Sequence, residues 1–402
     1  MDTVDLAAVR AAAAGFEGIV ARTPVERSRV LSELLGTQVW LKCENLQRAG
    51  SFKIRGAYTR LRRLSDAQRE LGVVAASAGN HAQGVALAAR ELGIRATVFM
   101  PANAALPKLA ATRDYGAEVV LGGASLDEAI VSAHEFADRT GAVFISPFDH
   151  ADIVAGQGTV ALEILEQVPD VRTVVVPLGG GGLAAGIAAA LAEAAPRVAV
   201  VGVQAEQVAA YPGSLAQGRP VAVPVRATMA DGIAVGLPGQ VPFDILARTH
   251  VPVRTVSEED LSRALLLLVE RAKMLVEPSG AAGVAALMRE PTAFEGPVVV
   301  ILSGGNVDPL VLLRVLRHGM TAAGRYLGLH VRISDRPGGL ASLLADIADA
   351  GGNVMHVSHV RTGPRLAIDE VEVDVQIETK GAAHCTEVVE HLLAAGYQVR
   401  AD

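Results

Sequence analysis

The chain has 402 residues, half of them hydrophobic and a fifth charged, a length that predicts at least two domains. A formal net charge of −7 and only 3% aromatic residues speak against recognition of a nucleic-acid backbone or stacking on bases. Two distant cysteines, an acidic start without a signal-peptide pattern and no long apolar stretch predict a soluble cytoplasmic protein in a reducing compartment, without a membrane partner.

The first chemical feature in chain order is SFKIRGA at 51–57, where Lys53 follows Phe52 in an apolar setting. A desolvated amine there could form a Schiff base, although composition alone favours a surface lysine whose stem covers apolar neighbours. VVAAS (73–77) is strand-like and runs into SAGNHAQG (77–84), which opens a helix. Ser77 and Asn80 can donate hydrogen bonds there, free N–H groups can hold a carboxylate, and His81 is a further donor. A locally satisfied cap histidine is the plainer alternative for His81.

ATVFM (96–100), AEVVLG (117–122) and AVFIS (142–146) continue as strands separated by Ala- and Leu-rich helical runs. TVVVPL then leads into Gly179, Gly180, Gly181 and Gly182 and the helical LAAGIAAALAEA. Side-chain-free backbone at a helix start suits an anion. No GK[ST] follows, and GxGxxG is met only as Gly179, Gly181 and the non-glycine Ala184. A phosphomonoester therefore fits better than a dinucleotide, with a merely structural turn left open. VVVILSGGNVD (298–308) ends the alternation, and Ser303 could hydrogen-bond a heteroaromatic nitrogen or simply shape a turn. The repetition predicts an α/β fold with a buried parallel sheet.

The pattern changes near 327. GLHVRIS, a helix over DRPGGLASLLADIADAGG, NVMHVSHVR, DEVEVDVQIE, a helix over AHCTEVVEHLLAAG and YQVR predict a βαββαβ order in a small α+β domain. Gly352 and Asn353, after the helix stop, are a candidate ligand corner or an ordinary helix end. No metal site is expected: HExxH, HxxxH and CxxC are absent, and His356 and His359 fall on opposite faces of a period-two strand. The nucleophile elbow GxSxG is missing as well.

SFKIRGA, SAGNHAQG, GGGG, EPSGA (277–281) and SGGN (303–306) occur in the order seen in fold-type-II (tryptophan synthase beta-like) enzymes that use pyridoxal 5′-phosphate (PLP). Over roughly 5–320 the sequence resembles threonine dehydratases, also called threonine ammonia-lyases, and their relative serine racemase. DRPGGL (335–340) and the Gly352–Asn353 corner resemble an ACT domain. The resemblance implies a two-lobed catalytic domain over 1–320 with a smaller lobe at about 50–150, a linker at 321–326, and an ACT regulatory domain at 327–402.

It also implies roles. Lys53 would be the Schiff-base lysine and α-proton base, and Phe52 would lie against the pyridine ring. Asn80 would meet the cofactor's 3-hydroxyl, and Ser77, Asn80 and His81 would form the carboxylate loop. Gly179 to Gly182 would cradle the phosphate and Ser303 would face the pyridine nitrogen. Glu277 would sit close to the ring and the substrate amine. Where serine racemases carry a serine before the Gly-Asn pair, this chain has Ala78, which cannot relay a proton, so elimination is expected over racemisation. The racemase cation positions align with Gln204 and Ala210. The implied reaction takes L-threonine to 2-oxobutanoate and ammonia, and L-serine to pyruvate. A small-molecule effector such as isoleucine or valine, and a homodimer or homotetramer, are implied too. An L-serine dehydratase, a hydroxyaspartate dehydratase or a serine racemase on the same scaffold, a nucleotide-activated catabolic enzyme and a non-catalytic amino-acid binder remain alternatives.

Overall fold

A computed structural model describes residues 4–361 and 366–401. The chain forms two compact units, Met1–Leu312 and Leu313–Asp402. The division falls within the helix Pro309–Ala322, the helix that also holds position 320.

Strands of the first unit, in chain order, are β1 (Val25–Arg27), β2 (Val39–Lys42), β3 (Val73–Ala76), β4 (Ala96–Met100), β5 (Glu118–Leu121), β6 (Val143–Phe144), β7 (Thr173–Pro177), β8 (Ala199–Ala205), β9 (Val253–Val256) and β10 (Val298–Ile301). They make two sheets, ordered β1-β2-β10-β7-β8-β9 and β5-β4-β3-β6. Every pair is parallel except β1 with β2. The smaller sheet lies inside the expected 50–150 lobe. Parallel neighbours need crossovers, which the helices Asn80–Leu92 and Leu126–Thr140 supply around β3 to β6. The valine-rich runs of β7 and β10 are buried along their whole length, as strands covered on both faces must be. Of the expected strand AVFIS only Val143 and Phe144 pair as β6. Pro147 follows closely and has no N–H with which to extend the ladder.

One packing contact sets the position of the SFK segment. A Cβ at Gly56 would come within 2.8 Å of the Ile153 carbonyl oxygen, and one at Gly156 within 2.5 Å of the Arg55 carbonyl oxygen. The helices Lys53–Arg62 and Ala151–Gln167 thus approach backbone to backbone, which only glycine allows at both places. Beneath them lies a closed set of buried charges. Arg55 donates to both oxygens of Glu44 at 2.8 Å and to Glu163 at 2.7 Å. Lys42 donates to Glu163 at 2.5 Å, to Gln167 at 2.8 Å and to the Thr23 carbonyl at 2.8 Å. Two cations meet two carboxylates, so the charges are compensated within the network.

The second unit has β11 (Tyr326–Ser334), a helix Gly339–Asp349, β12 (Asn353–Val360), β13 (Glu370–Glu378), a helix Ala382–Ala394 and β14 (Gln398–Ala401). This is the βαββαβ order expected. The sheet runs β12-β13-β11-β14 and is antiparallel throughout. Alternate residues Leu329, Val331, Ile333 and Val371, Val373, Val375, Ile377 point to one face and bury Leu343, Ile347, Val388 and Leu392 of the helices. Positions 362–365 of the turn-like RTGPRL lie outside the described residues. No helix among the described residues is long and apolar enough to cross a membrane.

Candidate active site

Lys53 is the first residue of its helix, with Phe52 at the cap position. The Phe52 N–H donates to the Ser303 carbonyl at 3.2 Å, and Ser51 bridges to Gly304. Strand end β10 and the SFK segment are therefore joined through their backbones. The Lys53 Nζ donates to the Pro147 carbonyl at 2.8 Å and lies 5.2 Å from the Phe52 ring centroid. Burial lowers its pKa to about 8, offset in part by the Glu277 carboxylate. An amine at that value is neutral in a substantial fraction near physiological pH, as a nucleophilic or basic lysine requires.

The helix Asn80–Leu92 crosses Lys53 closely, since a Cβ at Gly84 would stand 3.0 Å from the Lys53 backbone carbon. Its N-terminus has no side-chain cap, so its first N–H groups are left to other acceptors. Asn80 donates to Glu277 Oε1 at 2.7 Å and accepts from Asn306 at 2.8 Å. The Glu277 N–H donates to the Gly304 carbonyl at 3.0 Å. A Cβ at Gly304 would collide with the Glu277 carboxylate, so the glycine of SGGN makes room for the acid of EPSGA. Burial, and next the charge of Asp231, push Glu277 up to about 7 against the opposing pull of Lys108, Asn80 and Lys53. His81 is buried, its Nε2 is 2.8 Å from the Ile145 carbonyl, and burial together with the Lys53 charge lowers its pKa to about 3. It is a neutral imidazole with one nitrogen engaged by backbone. Ser77 lies partly exposed at the same turn, and its Oγ accepts from the Gly79 N–H at 3.1 Å.

The glycine run forms the turn into the helix Gly182–Ala194. Gly181 has φ +103°, no side chain caps the helix and no acid occupies its first turn. Among the described residues no protein group accepts from the N–H of Gly179, Gly180, Gly181 or Gly182. A Cβ at Gly180 would collide with the Phe148 ring, and one at Gly181 with the Tyr211 hydroxyl, which itself donates to the Gly180 carbonyl at 3.1 Å. Pro147 and Phe148 therefore link the two centres: one takes the Lys53 amine and the next presses on the glycine loop.

These features fit a phosphorylated carbonyl cofactor. Unpaired N–H groups at an uncapped helix start suit a phosphate, and a partly buried amine of lowered pKa suits an imine. Two buried hydroxyls, Ser51 Oγ and Ser279 Oγ, have no partner among the described residues, and both flank the Gly304–Glu277 contact. Ser303 is buried, with no bond from its Oγ to a protein group among the described residues. Sequence reasoning missed Ser51, Pro147, Phe148, Tyr211 and Ser279. Ser51 and Ser279 stand inside SFKIRGA and EPSGA but carried no role of their own there, whereas Pro147, Phe148 and Tyr211 stand in no such motif and only folding brings them to the site. Gln204, at a racemase cation position, accepts from the Tyr211 N–H at 2.9 Å.

In the second unit Gly352 is held by packing, because a Cβ there would come 2.7 Å from Ile377. Asn353 donates to Glu378 at 3.1 Å. A cavity of about 550 Å³ lies instead at the turn Ser334–Ala341, with His359 and Arg361 on its border. His356 pairs opposite Gln376 and His359 opposite Val373, so these histidines do take opposite faces. Among the described residues, His330, Glu372 and Asp374 on neighbouring strands bring metal-ligating atoms together, a group that no sequence motif marks. The His330–Asp374 contact is 2.6 Å, and Arg332 lies 4.0 Å from Glu372.

A family model described as "Pyridoxal-phosphate dependent enzyme" matches residues 16–304. The chain is 43% identical over 397 residues to an L-threonine ammonia-lyase of Thermotoga maritima, covering 99% of each. Two solved structures, a maize serine racemase and the processed form of threonine deaminase isoform 2 from Solanum lycopersicum, each align with a TM-score of 0.75 and 35% identity. Both alignments cover 78% of this chain, and respectively 97% and 92% of the other. Fold similarity alone thus does not separate lyase from racemase, whereas the near full-length sequence match names a lyase.

Proposed function

The chain belongs to the pyridoxal-phosphate dependent enzyme family, and from that premise we infer that it is an L-threonine ammonia-lyase, forming 2-oxobutanoate and ammonia. The observation that carries the reading is the Lys53 amine, lowered to about 8 and joined through Pro147–Phe148 to an uncapped four-glycine loop. PLP bound there supplies an electron sink for the charge that develops at the substrate α-carbon.

The chain's own groups do the rest. Gly179 to Gly182 would hold the cofactor phosphate through backbone N–H groups, and Phe52 would flank the cofactor ring. The Ser303 hydroxyl would serve as hydrogen-bond partner to the pyridine nitrogen, and a hydroxyl is too weak an acid to protonate it. Ser77, Asn80 and the start of the helix Asn80–Leu92 receive the substrate carboxylate. Lys53 removes the α-proton as its amine. Neutral His81 braces that turn against the Ile145 carbonyl. Glu277, poised near neutrality and held by Asn80, can keep or release a proton beside the substrate amine. Ala78 supports elimination over racemisation, because a methyl group delivers no proton to the second face. L-serine is a second substrate, released as pyruvate.

The second unit reads best as an ACT regulatory domain binding a small amino acid such as isoleucine or valine. Gly352 and Asn353 mark one candidate corner and the cavity at Ser334–Ala341 another. Its edge strands β12 and β14 are available to pair in a homodimer or homotetramer. The test is direct: purified protein with PLP should absorb near the visible edge and release 2-oxobutanoate from L-threonine, with D-serine formation negligible. Absence of cofactor binding after reconstitution would sink the reading.

A further inference from the structure

Lys108 reaches the cleft from the inserted lobe, on the helix Leu106–Asp114 between β4 and β5. Its Nζ is 2.9 Å from Asp231, which stands at a turn of the larger lobe. That turn is wedged against the site. A Cβ at Gly232 would come 2.8 Å from Ser279 Oγ and 3.7 Å from Glu277 Oε1, and one at Gly179 would come 3.0 Å from Ile233. On its other side Lys108 Nζ stands over the carboxylate turn, 3.8 Å from where a Cβ of Gly79 would be. Both Lys108 and Asp231 are close enough to act on the Glu277 carboxyl, with opposite signs.

The pair is unequal. The Lys108 side chain is 17% exposed and that of Asp231 is 62% exposed. A carboxylate so open to water holds its partner weakly, while the lysine stays in the cleft beside uncapped helix N–H groups. We propose that Lys108 is a substrate-positioning residue whose amine exchanges Asp231 for the carboxylate of the incoming amino acid. Asp231 acts as a built-in competitor: it keeps the cation at the mouth of the site and is displaced to water when substrate binds. The proposal rests on the amino-acid lyase reading and deepens it.

The experiment compares Lys108→Gln, Lys108→Arg and Asp231→Asn as PLP-loaded full-length proteins, with cofactor absorbance confirming that each is folded and loaded. Two readouts are taken. One is KM and kcat for L-threonine. The other is the affinity for α-aminoisobutyrate, which has no α-proton to lose, followed by the change in cofactor absorbance. Loss of a charge-assisted hydrogen bond to substrate should raise KM by about tenfold or more in Lys108→Gln, with kcat changed far less. Lys108→Arg should recover most of that loss. Asp231→Asn should lower KM a few-fold, because the competitor is gone, and that gain should vanish in the double variant. If Lys108→Gln and Asp231→Asn both raise KM, the pair is a static clamp between lobes and the proposal falls; it falls equally if neither of these two moves KM or affinity. An enzyme that does not turn over threonine overturns the lyase reading alone, since the aminoisobutyrate titration still tests Lys108.

Discussion

Lys53 and Arg55 stand two residues apart on one helix, and their cations meet opposite fates. Residues at that spacing face different sides. Arg55 points inward, where burial works against its charge but Glu44 and Glu163 hold its pKa above the usual value. Glu44 stays below the ordinary carboxylate range because Arg55 more than offsets its own burial. Lys53 points to the cleft, where it finds a carbonyl instead of a paired carboxylate, and burial wins. The same desolvation thus gives a permanently charged anchor where partners are supplied and a reactive amine where they are withheld.

The comparison breaks first at Lys53. Lys53→Ala should remove both the cofactor band and activity, by at least about a thousandfold, while leaving the denaturation midpoint nearly unchanged. Arg55→Ala should do the reverse in kind: Glu44 would be left buried and uncompensated, at a cost of about 3–5 kcal/mol, read by urea unfolding. A collapse of stability in Lys53→Ala, with none in Arg55→Ala, would invert the assignment.

A pH series sharpens the contrast. Only the neutral amine captures PLP, so the rate of cofactor uptake by apoprotein should rise up to about pH 8 and level off above it. Below that pH it should fall tenfold per unit. Removing the Glu277 charge withdraws the group that holds the Lys53 pKa up, so Glu277→Gln should shift the uptake midpoint to lower pH. The smallest effect concerns stability. Glu277 is raised from 4.5 to about 7 in the fold. Its contribution is therefore fully present below pH 4.5 and is lost as pH rises through 7. Apo Glu277→Gln should lack that decline in an unfolding series between pH 5 and 8, and a parallel decline would count against the assignment.

Much of this contrast was legible as motif and little of it as environment. Lys53, Asn80, the glycine run, Glu277 and Ser303 each lie in a motif at the end of a strand or the start of a helix, where local chemistry shows through. The βαββαβ order was readable because Val371, Val373, Val375 and Ile377 keep a strict period of two. The extent of β6 was not, since Pro147 stops the ladder from outside the apolar run. Phe148 and Tyr211 stand in no motif, and only the fold sets them where Gly180 and Gly181 owe their lack of side chains to them.

The sequence by itself determined the order of elements, the place of the lysine and the positions of the loops around it. Those depend on periodicity, turn chemistry and short motifs, which act over a few residues. Tertiary structure alone decided which charges are paired. Arg55 meets Glu163 and Lys108 meets Asp231 across more than a hundred residues of chain, and a pKa is set by neighbours in space. Whether a lysine in an apolar segment is an anchor, a base or a hand for the substrate is settled by what faces it.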